Sequence, residues 1–179
     1  MSHSIKPLTN KKILLLPFLF IVILASGCAG PKVAADLLAN VENNDQPLVN
    51  KSYIISAEIN PGINNNEGID QTVKESLEIA LTNANIFNKT SPGTFRINAD
   101  VLVASQAAFS FGSFEGKLRI KYVVFDDANK KIIDEEIYTE AGSDIQHFSG
   151  AARHRRARAV NISLNVRKFV ELLQSKLKK

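Results

Sequence analysis

Thr94-Phe95-Arg96-Ile97-Asn98-Ala99-Asp100-Val101-Leu102-Val103-Ala104-Ser105 is the stretch on which the fold turns. Phe95, Ile97, Ala99, Val101 and Val103 alternate with Arg96, Asn98 and Asp100, the period-two pattern of a strand with one buried and one wet face. A sheet built from such strands has one apolar side to cover, so the rest of the chain must supply a layer for it.

On the C-terminal side the pattern repeats. From Glu115 to Phe125, Leu118, Ile120, Tyr122 and Val124 face inward, and Lys117, Arg119 and Lys121 face outward. Asp126-Asp127-Ala128-Asn129 is short and rich in turn formers, which predicts Lys130 to Ala141 as an antiparallel hairpin partner. On the N-terminal side, Ser52 to Ile59 alternates with Tyr53, Ile55, Ala57 and Ile59 on one face. Asn60 to Glu67, with Pro61, Gly62 and three asparagines, reads as a loop. Asp70 is the expected N-cap of a helix over about Gln71 to Asn85, with Val73, Leu77, Ala80, Leu81 and Ala84 at helical spacing. From Gly150 to Leu177, Ala152, Ala159, Ile162, Val166, Phe169, Val170, Leu173 and Leu177 share one stripe of a long amphipathic helix. The order is β-α-β-β-β-α. It predicts an α+β two-layer sandwich: a four-stranded, mostly antiparallel sheet with two helices on one face.

The chain begins differently. Lys6, Lys11 and Lys12, with no acid, precede an apolar run from Ile13 to Leu24, then the small residues Ala25, Ser26 and Gly27, then Cys28, the only cysteine. That is the layout of a secretory signal, and the apolar run is too short for a permanent span. Ala25-Ser26-Gly27-Cys28 resembles the lipobox of bacterial lipoproteins, with Ala25 where that family usually has leucine. The resemblance implies a diacylglyceryl group on the Cys28 thiol, cleavage after Gly27 and acylation of the new amino terminus, and two or more acyl chains give stable anchoring. Ala29 stands where an aspartate would imply retention in the inner membrane, so the resemblance implies the outer membrane, periplasmic face. The expected organisation is a signal peptide over 1–27, a lipidated Cys28 with a flexible tether over 28–50, and one periplasmic α+β domain over 51–179. A short helical turn is expected at Ala34 to Val41.

The element order behind a lipobox, with Phe148-Ser149-Gly150-Ala151-Ala152-Arg153 running into a helix that carries Asn165 and Phe169, resembles a group of small Gram-negative lipoproteins. The group includes the lipoprotein of the lipopolysaccharide translocon and the YajG-like lipoproteins. Its members act mostly as assembly or accessory subunits that bind protein or glycolipid, and it offers no catalytic residue to carry over.

Once the signal is removed, about 150 residues remain, enough for one domain that buries roughly two thirds of its surface. With Cys28 spent on lipid, no thiol is left for a disulfide, so the core alone must hold the fold. Charge is segregated. Cys28 to Phe148 carries 10 basic and 17 acidic residues, whereas Ser149 to Lys179 carries 9 and 1. Such asymmetry points to an internal match, an anionic partner, or both.

Two features are candidate contact sites. Arg153, Arg155, Arg156 and Arg158 crowd the start of the last helix, with Arg155 near the centre of the apolar stripe, Arg158 on its flank, and Arg153 and Arg156 directed away. Cations in a first turn oppose the helix dipole at about 0.3–1 kcal/mol each. Either acids of the fourth strand, among Asp134, Glu135, Glu136 and Glu140, pair with them inside the fold, or they form an anion site for phosphate or carboxylate. The other feature is Phe109-Ser110-Phe111-Gly112-Ser113-Phe114, whose three phenylalanines either cap the core or present an aromatic edge to a partner or bilayer.

Catalytic patterns are sparse. His147 and His154 are the only histidines after the signal, and neither has the setting of a nucleophile's base. The sequence offers no zinc spacing and no phosphate-cradling glycine loop, so neither metal nor cofactor is expected. The sequence therefore predicts a non-enzymatic, lipid-anchored accessory protein that binds an envelope protein or glycolipid, with no nucleic-acid role. An envelope enzyme acting on lipid or sugar, with His147 or His154 as base, and a structural subunit of a secretion or pilus apparatus are the alternatives.

Overall fold

The computed structural model describes residues 33–65, 67–106, 114–143 and 150–178. Its elements are α1 (Ala35–Leu38), β1 (Ser52–Ile59), α2 (Ile69–Asn83), β2 (Thr94–Gln106), β3 (Phe114–Phe125), β4 (Lys131–Ser143) and α3 (Gly150–Leu177). The strands form one sheet in the order β1-β2-β3-β4, with β1 parallel to β2 and the other two pairs antiparallel. The sheet is mixed because α2 carries the chain from β1 back to the same end of the sheet before β2 begins. This is the expected α+β sandwich, with a third short helix, α1, added to the helical layer.

The predicted stripes are the core. Val73, Leu77, Ala80, Leu81 and Ala84 of the α2 segment, and Ile162, Val166, Phe169, Val170 and Leu173 of α3, are buried against Phe95, Ile97, Ala99, Val101, Leu118, Ile120, Tyr122 and Val124. Phe169 stacks on Tyr122, ring centroids 4.1 Å apart and 11° from parallel.

Some expectations fail for local physical reasons. β2 carries a bulge between Val101, paired with Ile120, and Val103, paired with Arg119. The extra residue reverses the alternation. Val103 therefore shares the open face with Arg119, and Ala104, opposite the buried Leu118, takes the inward position. Asp70 does not cap α2. Gly68, at φ 64°, occupies the cap position, and the Ile69 amide donates to Asn65 Oδ1 at 2.6 Å instead. A left-handed backbone suits glycine, and Asp70 in the first turn accepts a hydrogen bond from Asn65 Nδ2 at 2.8 Å. That bond holds the Asp70 carboxyl below its ordinary range.

The largest correction concerns the tether. From residue 33 onward the segment expected to hang free is part of the packed unit: Ala34 and Leu38 are fully buried and Val41 nearly so. Asn83 Nδ2 donates to the Leu38 carbonyl and Gln174 Nε2 to the Glu42 carbonyl. Asn44 and Asn85 exchange bonds with each other's neighbourhoods, and Val49 bridges to Phe87. The helical turn expected within Ala34 to Val41 forms as α1, and the apolar residues of this segment fill the groove between α2 and α3.

Candidate functional site

Three of the strand-four acids, Asp134, Glu136 and Glu140, are spent on the open sheet face, not on the arginines of α3. Lys121 pairs with Asp134 at 3.2 Å, Arg119 with Glu136 at 3.7 Å and Lys117 with Glu140 at 3.8 Å, all across the β3–β4 ladder. Register decides this. Opposite charges face each other on one side of the pleat, while α3 packs on the other.

The arginines find acids from elsewhere. Arg156 Nη2 lies 3.0 Å from Asp36 of α1, and Arg158 Nη1 lies 2.6 Å from Glu67 in the loop before α2. Arg156, expected to point away from the fold, keeps only 22% of its side chain exposed because α1 lies across that side of α3. The hydrogen bond from Arg156 holds the Asp36 carboxyl below its ordinary value. Arg153 and Arg155 are half-buried in the first turns of the same helix.

His154 Nδ1 stands 3.8 Å from Glu67 Oε1, too far for a hydrogen bond, while the other oxygen of Glu67 receives Arg158. Burial and the neighbouring Arg158 charge lower the pKa of His154 below its usual value, with Glu67 opposing them. The imidazole is therefore neutral at pH 7.

Deeper along α3 lies a closed polar spine. Tyr122 Oη donates to Asn165 Oδ1 at 3.0 Å, and Asn165 Nδ2 donates to the Ile137 carbonyl at 2.9 Å and to Thr139 Oγ1 at 3.1 Å. Burial pushes the Tyr122 phenol up, so it stays protonated as donor. One turn earlier, Asn161 Nδ2 donates to the Gly116 carbonyl at 2.6 Å, while its Oδ1 is buried with no hydrogen-bond partner. Asn161 and Arg158 line a small cleft with Ile69, Ser105, Lys117 and Leu118. Sequence reasoning missed Asp36, Glu67 and Asn161. Two asparagines four residues apart inside an apolar stripe were the available signal for the spine.

Tertiary structure brings together what the sequence holds apart. Gln106, the last residue of β2, pairs with Gly116, and Ser143, the last residue of β4, pairs with Phe114. The chain leaves β2, starts β3, ends β4 and begins α3 at Gly150 at one end of the sandwich. Cys28, Phe109 and Phe111 lie outside the described residues, and Phe114 opens β3. Among the described residues no helix is long and apolar enough to cross a membrane, and no group of three or more His, Cys, Asp or Glu could hold a metal ion.

No protein-family model matches the chain, and no curated protein matches it. Solved structures do. A hypothetical protein of Chlamydia trachomatis superposes with a TM-score of 0.53 at 10% identity, covering 72% of this chain and 98% of its own. A Xanthomonas campestris protein of the DUF330 family gives 0.52 at 8% identity, covering 76% and 92%. A minor lipoprotein of Acinetobacter baumannii gives 0.44 at 9% identity, covering 70% and 93%. The chain shares its fold with the first two of these bacterial proteins, over nearly their whole length.

Proposed function

We propose that this chain is a non-enzymatic accessory protein of the outer membrane, held on the periplasmic face by lipid on Cys28, that binds a protein or glycolipid partner in envelope assembly. Contact is made by the end of the sandwich where α3 begins, with Arg153, Arg155, Arg156 and Arg158 on the helix and Phe109, Phe111 and Phe114 in and beside the β2–β3 connection. One observation supports this reading: strand pairing puts the ends of β2 and β4 and the start of β3 at one end of the sandwich, the end at which Asn161 of α3 bonds to Gly116 and the basic start of α3 stands. Phosphate and carboxylate suit guanidinium groups, which bind them through two parallel donors.

The test uses the lipidated protein. Arg155→Ala with Arg158→Ala is expected to reduce capture of the partner from solubilised envelopes while the domain stays folded. Lost folding with intact capture, or no effect on either, overturns the contact site. Cys28→Ser is expected to abolish lipid labelling and processing, and a protein of normal mature size still in the membrane overturns the anchor. The enzyme alternative has one observation in its favour, His154 near Glu67. His154→Ala separates the two readings, because an accessory protein keeps its cellular role without the imidazole and an enzyme that uses it as base does not.

A further inference from the structure

The described sheet has two edge strands, and they differ chemically. β4 carries Asp134, Glu135, Glu136 and Glu140, and its pairing with β3 shifts register between Val124 and Phe125. Charges and irregularities of this kind keep a strand edge from pairing with another chain. Glu135 adds to this from the helix side of the sheet, where it stands opposite the buried Tyr122 and is itself exposed. β1 has none of these devices. Ser52–Ile59 runs beside β2 in unbroken register and contains no proline, no lysine and a single acid, Glu58.

The parallel ladder decides which backbone groups β1 leaves over. The Ser52 amide donates to the Gly93 carbonyl at 3.0 Å and the Asn60 amide to the Val101 carbonyl at 3.0 Å, so the even-numbered residues face β2. The amides and carbonyls of Tyr53, Ile55, Ala57 and Ile59 therefore point off the edge, and no described residue bonds to them. Their side chains lie on the helix side and are half-buried, while Ile54 on the open face is 55% exposed. An added strand covers both kinds of group at once.

We propose that the β1 edge is a dimer interface, at which β1 of a second copy pairs antiparallel about a two-fold axis through Ser56. Self-complementarity selects this occupant. Pairing about Ser56 sets Ile55 opposite Ala57 of the second copy and Tyr53 opposite Ile59, and each pair exchanges both backbone bonds. All the outward residues of the strand are used, and every helix-side pair is apolar. On the open face Ile54 meets Glu58, so the two Glu58 carboxylates do not oppose each other. Moving the axis to Ala57 would set Tyr53 opposite Pro61, which has no amide to donate. Moving it to Ile55 would set Ile59 opposite Lys51, which lies before the strand and is tied to Asp127 at 2.6 Å. The edges left on the dimer are both β4, whose acids resist further pairing, so the assembly closes at two copies.

The experiment uses the chain from residue 28 with Cys28→Ser, which keeps every described residue and has no thiol. Sedimentation equilibrium is expected to show a concentration-dependent exchange between monomer and dimer. Ile54→Glu places like charges opposite Glu58 on both sides of the axis and is expected to weaken the dimer about tenfold. Ile54→Lys places opposite charges there and is expected to keep or tighten it. Residue 54 is exposed, so the melting temperature of the monomer should not move in either variant. Ser56→Cys, as the sole cysteine, is expected to give a disulfide-linked dimer under mild oxidation, because a non-hydrogen-bonded pair brings its Cα atoms to about 4.5 Å. Glu58→Cys, which meets Ile54 rather than itself, is expected not to. A chain that stays monomeric up to about 1 mM overturns the proposal. So does a dimer weakened equally by both changes at residue 54, or one that Ser56→Cys fails to cross-link. This chain carries no lipid and no partner is added, so the result is independent of the anchored reading above.

Discussion

Buried polar residues of the core divide into those whose polar atoms are matched and those whose are not. Tyr122 and Asn165 satisfy each other inside the core, so Tyr122→Phe leaves Asn165 Oδ1 buried without a donor and is expected to cost about 1–3 kcal/mol. Asn165→Leu should cost more, because it also strands the Ile137 carbonyl. Ser76 and Ser163 are fully buried with hydroxyls that have no hydrogen-bond partner. Ser76→Ala is therefore expected to be neutral or stabilising. Urea denaturation of the three variants checks the order, and a Ser76→Ala protein as weak as Tyr122→Phe would contradict it. The sequence made these positions visible only as interruptions of an apolar stripe. Which asparagine closes a network and which keeps a bare oxygen depends on the carbonyls opposite, and those are set by strand register.

Elements respond as units, and two make sharp predictions. Leu38 anchors α1 between α2 and α3, so Leu38→Ala should cost about 2–5 kcal/mol and open residues 33–50 to protease. A free tether would show neither effect. The start of α3 should respond to acid. The unfolded chain protonates His154 near 6.5, whereas the folded chain protonates it only at lower pH. The stability this contributes is present above the unfolded value and is lost as pH falls through the folded one. Facing Arg158 and Glu67 pull in opposite directions, and the ring is only partly covered, so the slope should lie well below roughly 1.4 kcal/mol per pH unit. Denaturation midpoints taken between about pH 7.5 and 5.5 should fall in the wild type and stay flatter in His154→Asn, and parallel profiles would refute the assignment.

At the scale of the molecule, the core does not begin at residue 51. Deleting residues 28–50 removes the fully buried Leu38 and the nearly buried Val41, at about 1.5–3 kcal/mol for each side chain. That is a large part of a typical domain stability of about 5–15 kcal/mol. A chain starting at Lys51 is therefore expected to melt well below one starting at Cys28 and to aggregate through the uncovered groove between α2 and α3. Calorimetry and sedimentation of the two chains measure this directly, and equal melting temperatures would restore the tether. On the other side of the sheet, the β3–β4 ion pairs are solvent-exposed, and each contributes about 0–1 kcal/mol. They match register more than they hold the fold.

The sequence by itself determined the elements, the helical stripes, the inward residues of the strands up to Val101, and the sandwich class, because period and amphipathicity are local properties of the chain. It also carried the Cys28 motif and the segregation of charge. Only the tertiary structure decided the bulge that turns Val103 outward, the parallel pairing of β1 with β2, the acids that meet Arg156 and Arg158, and the docking of residues 33–50. Each of these is a contact between segments far apart in the chain, and its partner is chosen by register and by which groove is left to fill. The basic helix start thereby changed from a charge run near one end of the sequence into a set of side chains matched by the fold, Arg156 with Asp36 and Arg158 with Glu67.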